Sequence, residues 1–270
     1  MSMLSPDPKI ANKYTVGEQI GKGKFGTVYR GLHHKTGAKV AIKCENVNHP
    51  YKSIKHETTI LNYLFQCGGR SIPAVLYYGV SGNFTCLVMD YYDTTLEHHL
   101  RENPQTISKF MASAIQILQF VHGHQILHRD IKPDNFMVKN RQLFLIDFGM
   151  AAAYHPETAT REHIIGTPKY VSYFVHDGCE PAMRDDLISL GYCYLYMVCG
   201  LPWSTVDVVT EAVETSHILH SQNQQRKILK GWENIDVFAK SHNVIHMYLE
   251  YCYHHCDEME YDLLKQMFLV

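Results

Sequence analysis

Residues 14–20, 27–31 and 39–45 read as three strands, the first two separated by a glycine-rich turn and the last two by Lys35-Thr36-Gly37. This order predicts an antiparallel meander. The pattern then changes to helical spacing, with Ile54, Ile60, Leu61, Leu64 and Phe65 on one stripe of a helix over 52–67 that Gly68-Gly69 stops. Strands over 74–80 and 84–90, joined by Ser81-Gly82-Asn83, complete a five-stranded antiparallel sheet carrying one main helix. Beyond Tyr92 the chain becomes mostly helical. Over 106–122, Ile107, Phe110, Met111, Ala114, Ile115, Leu118 and Val121 form one apolar stripe, with Thr106 as N-cap and Gly123 as stop. Residues 183–199, 208–221 and 244–253 also read as helices. The expected fold class is therefore α+β, with a small sheet-rich lobe over 1–92 and a larger helical lobe over 93–270. A junction of that kind is where a ligand cleft is expected.

Composition narrows the function classes. The chain has 270 residues, 46% hydrophobic and 19% charged, enough to bury a core without disulfides. Lys plus Arg total 25 against 27 Asp plus Glu, so the net charge of -2 gives no bulk reason to expect nucleic acid or an anionic membrane as partner. The eight cysteines are scattered, and residues 1–10 hold Pro6 and Pro8 without an apolar core. Reduced thiols in cytosol or nucleus are expected. Cys252, His254, His255 and Cys256 suggest zinc, but no second ligand pair stands at finger spacing, so they read as helix residues. The stretch 187–206 lacks charge, yet Gly191, Gly200 and Pro202 interrupt it, which favours a buried helix over a membrane span.

Gly21, Gly23 and Gly26, with Val28 two residues on, have the GxGxxGxV spacing in which backbone N–H groups can approach phosphate. A dinucleotide-binding turn is the rival reading. It needs a helix straight after the third glycine and an acid about 20 residues on, where Glu45 stands. The intervening residues read as a hairpin, so the glycines fit better as a lid over a nucleotide. Lys43 ends the strand segment Val40-Ala41-Ile42-Lys43, and Glu57 lies in the first predicted helix. A lysine gripping phosphate in a poorly solvated cleft needs such a counter-ion.

The segment His128-Arg129-Asp130-Ile131-Lys132-Pro133-Asp134-Asn135, followed by Ile146-Asp147-Phe148-Gly149, completes a pattern that resembles the protein kinases. The resemblance implies a bilobal protein-kinase-like fold and transfer of the ATP γ-phosphoryl group to a protein hydroxyl. It assigns Asp130 to the substrate hydroxyl proton, Asn135 and Asp147 to Mg2+, and the ion pair Lys43–Glu57 to the inner phosphates. Lys132 would neutralise charge on the transferring group, and its position resembles that in serine/threonine kinases. Ile20, Gly21, Gly23, Gly26, Val28, Ala41 and Lys43 would line the ATP site. Met89 would gate its back, with Asp90, Tyr91 and Tyr92 as the hinge.

Within that family the chain is similar to casein kinase I. The likeness rests on Asp130 through Phe136, on Gly166-Thr167-Pro168-Lys169-Tyr170, on Arg184-Asp185-Asp186-Leu187 through Tyr192, and on Leu201-Pro202-Trp203. As in that family, Val171-Ser172-Tyr173 stands where other kinases have Ala-Pro-Glu, and Asp186 would brace the catalytic loop. Family members hold acidic or phosphorylated substrates with basic clusters. Here Ala152-Ala153 replaces one pair, and Asp207, Glu211 and Glu214 replace the lysines after Leu-Pro-Trp, which leaves Lys169 as a weak anion site. The loss of basic residues tilts the expected location to the cytoplasm, with the nucleus as second choice. Thr158, Thr160 and Thr167 lie in or near a short activation segment whose further basic residue is Arg161, and no regulatory tail is expected. The expected partners are proteins carrying Ser or Thr, with ATP and Mg2+ as cofactors, no nucleic acid, no membrane and a monomeric state. The alternative of another class is a nucleotide-binding, pseudokinase-like scaffold.

Overall fold

The computed structural model describes residues 9–23, 26–155, 163–207, 216–256 and 258–269. In chain order the first elements are β1 (Lys9–Ile10), β2 (Tyr14–Gly23), β3 (Gly26–His33), β4 (Lys39–Asn46), α1 (Ser53–Gln66), β5 (Val75–Ser81), β6 (Phe84–Asp90) and β7 (Thr94–Thr95). Then follow α2 (Leu96–Glu102), α3 (Ile107–Gly123), β8 (Ile126–Leu127), β9 (Phe136–Lys139), β10 (Gln142–Leu145) and β11 (Ala152–Ala153). The remaining helices are α4 (Tyr173–His176), α5 (Met183–Cys199), α6 (Ser216–Leu229), α7 (Trp232–Ala239), α8 (Asn243–His254) and α9 (Tyr261–Gln266). The chain divides into two units, one of Met1–Thr94 with Met137–Gly149, the other of Thr95–Phe136 with Met150–Val270.

The first unit is an antiparallel sheet in the order β1-β2-β3-β4-β6-β5. It has six strands rather than the expected five, because Lys9 and Ile10 pair with Thr15 and Tyr14. Ile10 is fully buried beside Tyr14, Val16, Val40, Ile42, Cys44, Cys86 and Val88, and this cluster covers one face of the sheet. Alternation puts the opposite set, Ala41, Lys43, Leu87 and Met89, on the other face. Helix α1 lies against β4, β5 and β6. It buries Ile54, Ile60, Leu61 and Leu64, each of the fully buried leucines contributing about 1.5–3 kcal/mol by removal from water. Phe65 departs from the expected stripe: it is exposed, and the Arg70 guanidinium lies 4.3 Å above its ring.

No N-cap side chain closes α1. The carboxylate of Glu45 on β4 does so instead, accepting from the Ser53 hydroxyl at 2.8 Å and the Ile54 amide at 3.3 Å. That use of Glu45, together with β3 following the glycines directly, removes both requirements of a dinucleotide-binding turn.

The second unit is helical. The stripe of α3 is buried at Phe110, Met111, Ala114, Ile115, Leu118 and Val121. Thr106 does not cap it, because a 3-10 turn over Pro104–Thr106 directs its hydroxyl back to the Asn103 carbonyl at 2.7 Å. Helix α5 takes the expected bounds. Leu187, Ile188, Leu190, Tyr192, Cys193 and Leu195 bury it on several sides, as expected of a core helix. A Cβ on Gly191 would collide with Leu249, so this glycine lets α8 approach closely. Among the described residues no helix is long and apolar enough to cross a membrane. Cys252 is buried in α8, whereas His254, His255 and Cys256 are exposed, and no metal-binding group of three His, Cys, Asp or Glu occurs among the described residues.

Candidate active site

In the first unit the glycines form the tip of the β2–β3 hairpin, Gly21 pairing with Val28 and Gly23 with Gly26. Lys24 and Phe25 lie outside the described residues. Gly26 has φ +154°, and a Cβ there would collide with the Cys44 carbonyl oxygen on β4, so the strand approach itself demands glycine. Gly23 has open space around its Cα, which leaves room for a ligand against the backbone. The pairs Val28–Lys43 and Ala41–Met89 put these four side chains on one sheet face. Ile20 lies exposed in the irregular stretch between Gln19 and Gly21. Two expected hinge residues are otherwise engaged. The Asp90 carboxylate accepts from the Ala74 amide at 2.9 Å, and its backbone ends β6 opposite Val40. Tyr92 is buried with its ring 4.7 Å from Phe144.

Lys43 and Glu57 meet as the sequence predicts, with Nζ 2.7 Å from Glu57 Oε2 and also 2.7 Å from Asp147 Oδ1. Glu57 is fully buried, and its second oxygen accepts from the Phe148 amide at 3.2 Å. Burial alone would pull the Lys43 ammonium down, but the carboxylates of Glu57 and Asp147 outweigh it and hold the pKa above its usual value. The cation is therefore fixed and charged at any physiological pH. Asp147 has a left-handed backbone, φ +63°, and its side chain is 41% exposed. A conformation this unfavourable for a non-glycine residue is typical of a functional position.

In the second unit Asp130 accepts four hydrogen bonds. Oδ2 receives Lys132 Nζ at 2.7 Å and Asn135 Nδ2 at 3.3 Å, and Oδ1 receives the Thr167 amide at 3.0 Å and hydroxyl at 2.6 Å. Asn135 Nδ2 also donates to the Asp130 carbonyl at 2.8 Å, so the amide oxygen is the atom left for a metal ion. Asp186 on α5 braces the loop: its carboxylate accepts from the amides of His128 and Arg129 at 2.8 and 2.9 Å. Burial pushes Asp186 up, but the bonded His122 ring and His128 prevail and keep its pKa low. Arg129 sits at φ +64°, with Nε donating to the Met150 carbonyl at 2.7 Å.

The sequence did not disclose the roles of Thr167 and His122. Thr167 is 37 residues from Asp130 and carries no spacing signal; only the fold brings its hydroxyl to the carboxylate. His122 lies in the last turn of α3, and its ring joins Asp186 at 2.9 Å to the Tyr261 hydroxyl at 2.6 Å, partners that lie far along the chain. Lys169, the expected anion site, directs its ammonium over the Tyr196 ring at 4.1 Å. Ala152 and Ala153 pair with Leu127 and Ile126. Thr158, Thr160, Arg161, Glu211 and Glu214 lie outside the described residues.

A glycine-tipped hairpin beside a charge-paired Lys43 in one unit and a bonded Asp-Lys-Asn-Thr set in the other are the kinds of parts that phosphoryl transfer needs. The protein kinase domain model matches residues 14–268, and the chain belongs to that family. Its antiparallel sheet lobe and helical lobe are those of the bilobal kinase fold. Family membership implies ATP, Mg2+ and protein substrates in general. Asp147 in the first unit offers a carboxylate and Asn135 in the second an amide oxygen, each an oxygen donor suited to a hard cation.

Proposed function

We propose that the chain is a serine/threonine protein kinase of the casein kinase I type with a weakened site for acidic or phosphorylated substrates. The carrying observation is the Asp130 carboxylate, bonded to both Lys132 and Thr167. On this reading residues 1–92 form the ATP-gripping lobe and 93–270 the substrate lobe. A substrate hydroxyl oxygen attacks the γ-phosphorus in line, Asp130 receives its proton, and the bond to the β-phosphate oxygen breaks to release ADP. Lys132 lies close enough to Asp130 to stabilise charge on the transferring group, and Lys43, fixed by Glu57, holds the inner phosphates. Asn135 and Asp147 would each offer Mg2+ an oxygen ligand, and the ion would supply neutralisation of phosphate charge.

The casein kinase I type rests on the motifs from Asp130 to Trp203. The weakened anion site rests on Ala152-Ala153 and on the cation–π placement of Lys169. Reduced basic character also favours a cytoplasmic location. The test compares matched serine peptides with and without a phosphoserine upstream, followed by phosphoamino-acid analysis. We expect label on serine or threonine and a priming gain below about threefold. Label on tyrosine, or a priming gain of tens of fold, would contradict the reading; ATP binding without any transfer would favour the scaffold alternative.

A further inference from the structure

Lys230 follows α6 and is fully buried, yet no step assigned above uses it. Its ammonium donates to the Pro168 carbonyl at 2.8 Å and the Val171 carbonyl at 2.6 Å, and lies 3.1 Å from His176 Nε2, itself 3.1 Å from the Pro168 carbonyl. The faces of Tyr192 and Trp203 lie 5.2 and 5.1 Å from the same nitrogen. Trp203 in turn donates Nε1–H to the Lys169 carbonyl at 2.8 Å. The Ser172 hydroxyl donates to buried Asp185 and accepts from the Val175 amide at 3.1 Å.

Four anchors, at Pro168, Lys169, Val171 and Ser172, therefore hold this segment. The residue just before them is Thr167, whose amide and hydroxyl both bond Asp130. We propose that Lys230, assisted by Trp203, is a positioning residue that fixes the 168–171 backbone as the seat of the protein substrate next to Asp130. A buried cation is an expensive tether, and its two shortest bonds go to backbone carbonyls, which specifies the path of the chain more than the identity of its side chains. The inference rests on the reading of the chain as a kinase acting on a protein hydroxyl.

Lys230→Met keeps the apolar stem and removes the donors; Trp203→Phe keeps an aromatic ring at the site but removes the bond to Lys169 and part of the buried ring volume. Steady-state transfer to dephosphorylated casein and amide hydrogen exchange are measured on the full chain. We expect Lys230→Met to raise the casein KM roughly tenfold or more, with the ATP KM within about twofold of the parent and faster exchange confined to 166–173. Trp203→Phe should move both quantities in the same direction by less. A fall in kcat with both KM values unchanged, or unaltered exchange over 166–173, overturns the proposal. Should Lys230→Met fail to fold, Trp203→Phe decides by the same two readouts. If the parent itself transfers nothing, the kinase reading fails on that ground, and the exchange result alone upholds or overturns the clamp.

Discussion

Asp130 receives donors from three parts of the chain: Lys132 and Asn135 beside it, and Thr167 far along. The near partners were legible because residues 130–135 are contiguous, whereas Thr167 was not, because its partner is chosen by tertiary folding. The same division holds for Lys43. Its strand and the helix of Glu57 could be read, but not the second carboxylate, Asp147, at 2.7 Å. Removing Glu57 leaves Lys43 buried with a single carboxylate. Glu57→Ala should therefore cost about 3 kcal/mol, the lower end for breaking a buried pair, measured as the shift in urea unfolding.

His176 gives a pH dependence. Burial, and then the adjacent Lys230, push its pKa down to about 3 from 6.5. The unfolded chain takes up a proton below about pH 6.5 that the native state refuses, so stability is full above that pH and is lost on acidification toward about 3. Urea midpoints measured from pH 7 to 4.5 should fall for the parent and fall less steeply for His176→Gln. Parallel slopes would show that His176 is not the group responsible.

At the scale of elements, sequence spacing located what local chemistry controls. Helix α5 was legible because its long uncharged run is stopped by Gly200, which sits at φ +81°. Where partners are distant the reading slipped. β2 runs on through its glycines to Gly23 because the opposite strand pairs with them, and β1 exists only because β2 offers an edge. The cap of α1 comes from Glu45 on another strand, a device that no N-terminal residue of the helix announces. Glu45→Ala should cost about 1–2 kcal/mol, the range for losing a helix cap, and should reduce exchange protection first in α1. Loss spread evenly over the sheet would argue against a capping role.

For the whole molecule, the two-part division into sheet and helices was readable from the change in periodicity near Tyr92. Assignment of Met137–Gly149 to the first unit was not, because that segment returns to it from beyond the catalytic loop. The chain thus contributes Asp147 to the unit that carries Lys43, and Asp130 to the other. Both lie in one motif-rich stretch of sequence, which is why the family was recognisable before the geometry. Lys230 marks the limit of that approach: a lysine just past a helix C-terminus reads as a solvated end, and its full burial is visible only in the fold.

The central claim is that this chain transfers phosphoryl groups and that Asp130 is the group receiving the proton. The most direct measurement is transfer of labelled γ-phosphate from MgATP to dephosphorylated casein by the parent and by Asp130→Asn, with ATP affinity determined on both. The account predicts transfer by the parent and a loss of about a hundredfold or more in the variant, with ATP affinity and thermal stability preserved. Transfer by Asp130→Asn within a few-fold of the parent would contradict the role of Asp130, and a parent that binds ATP but labels nothing would contradict the claim of catalysis.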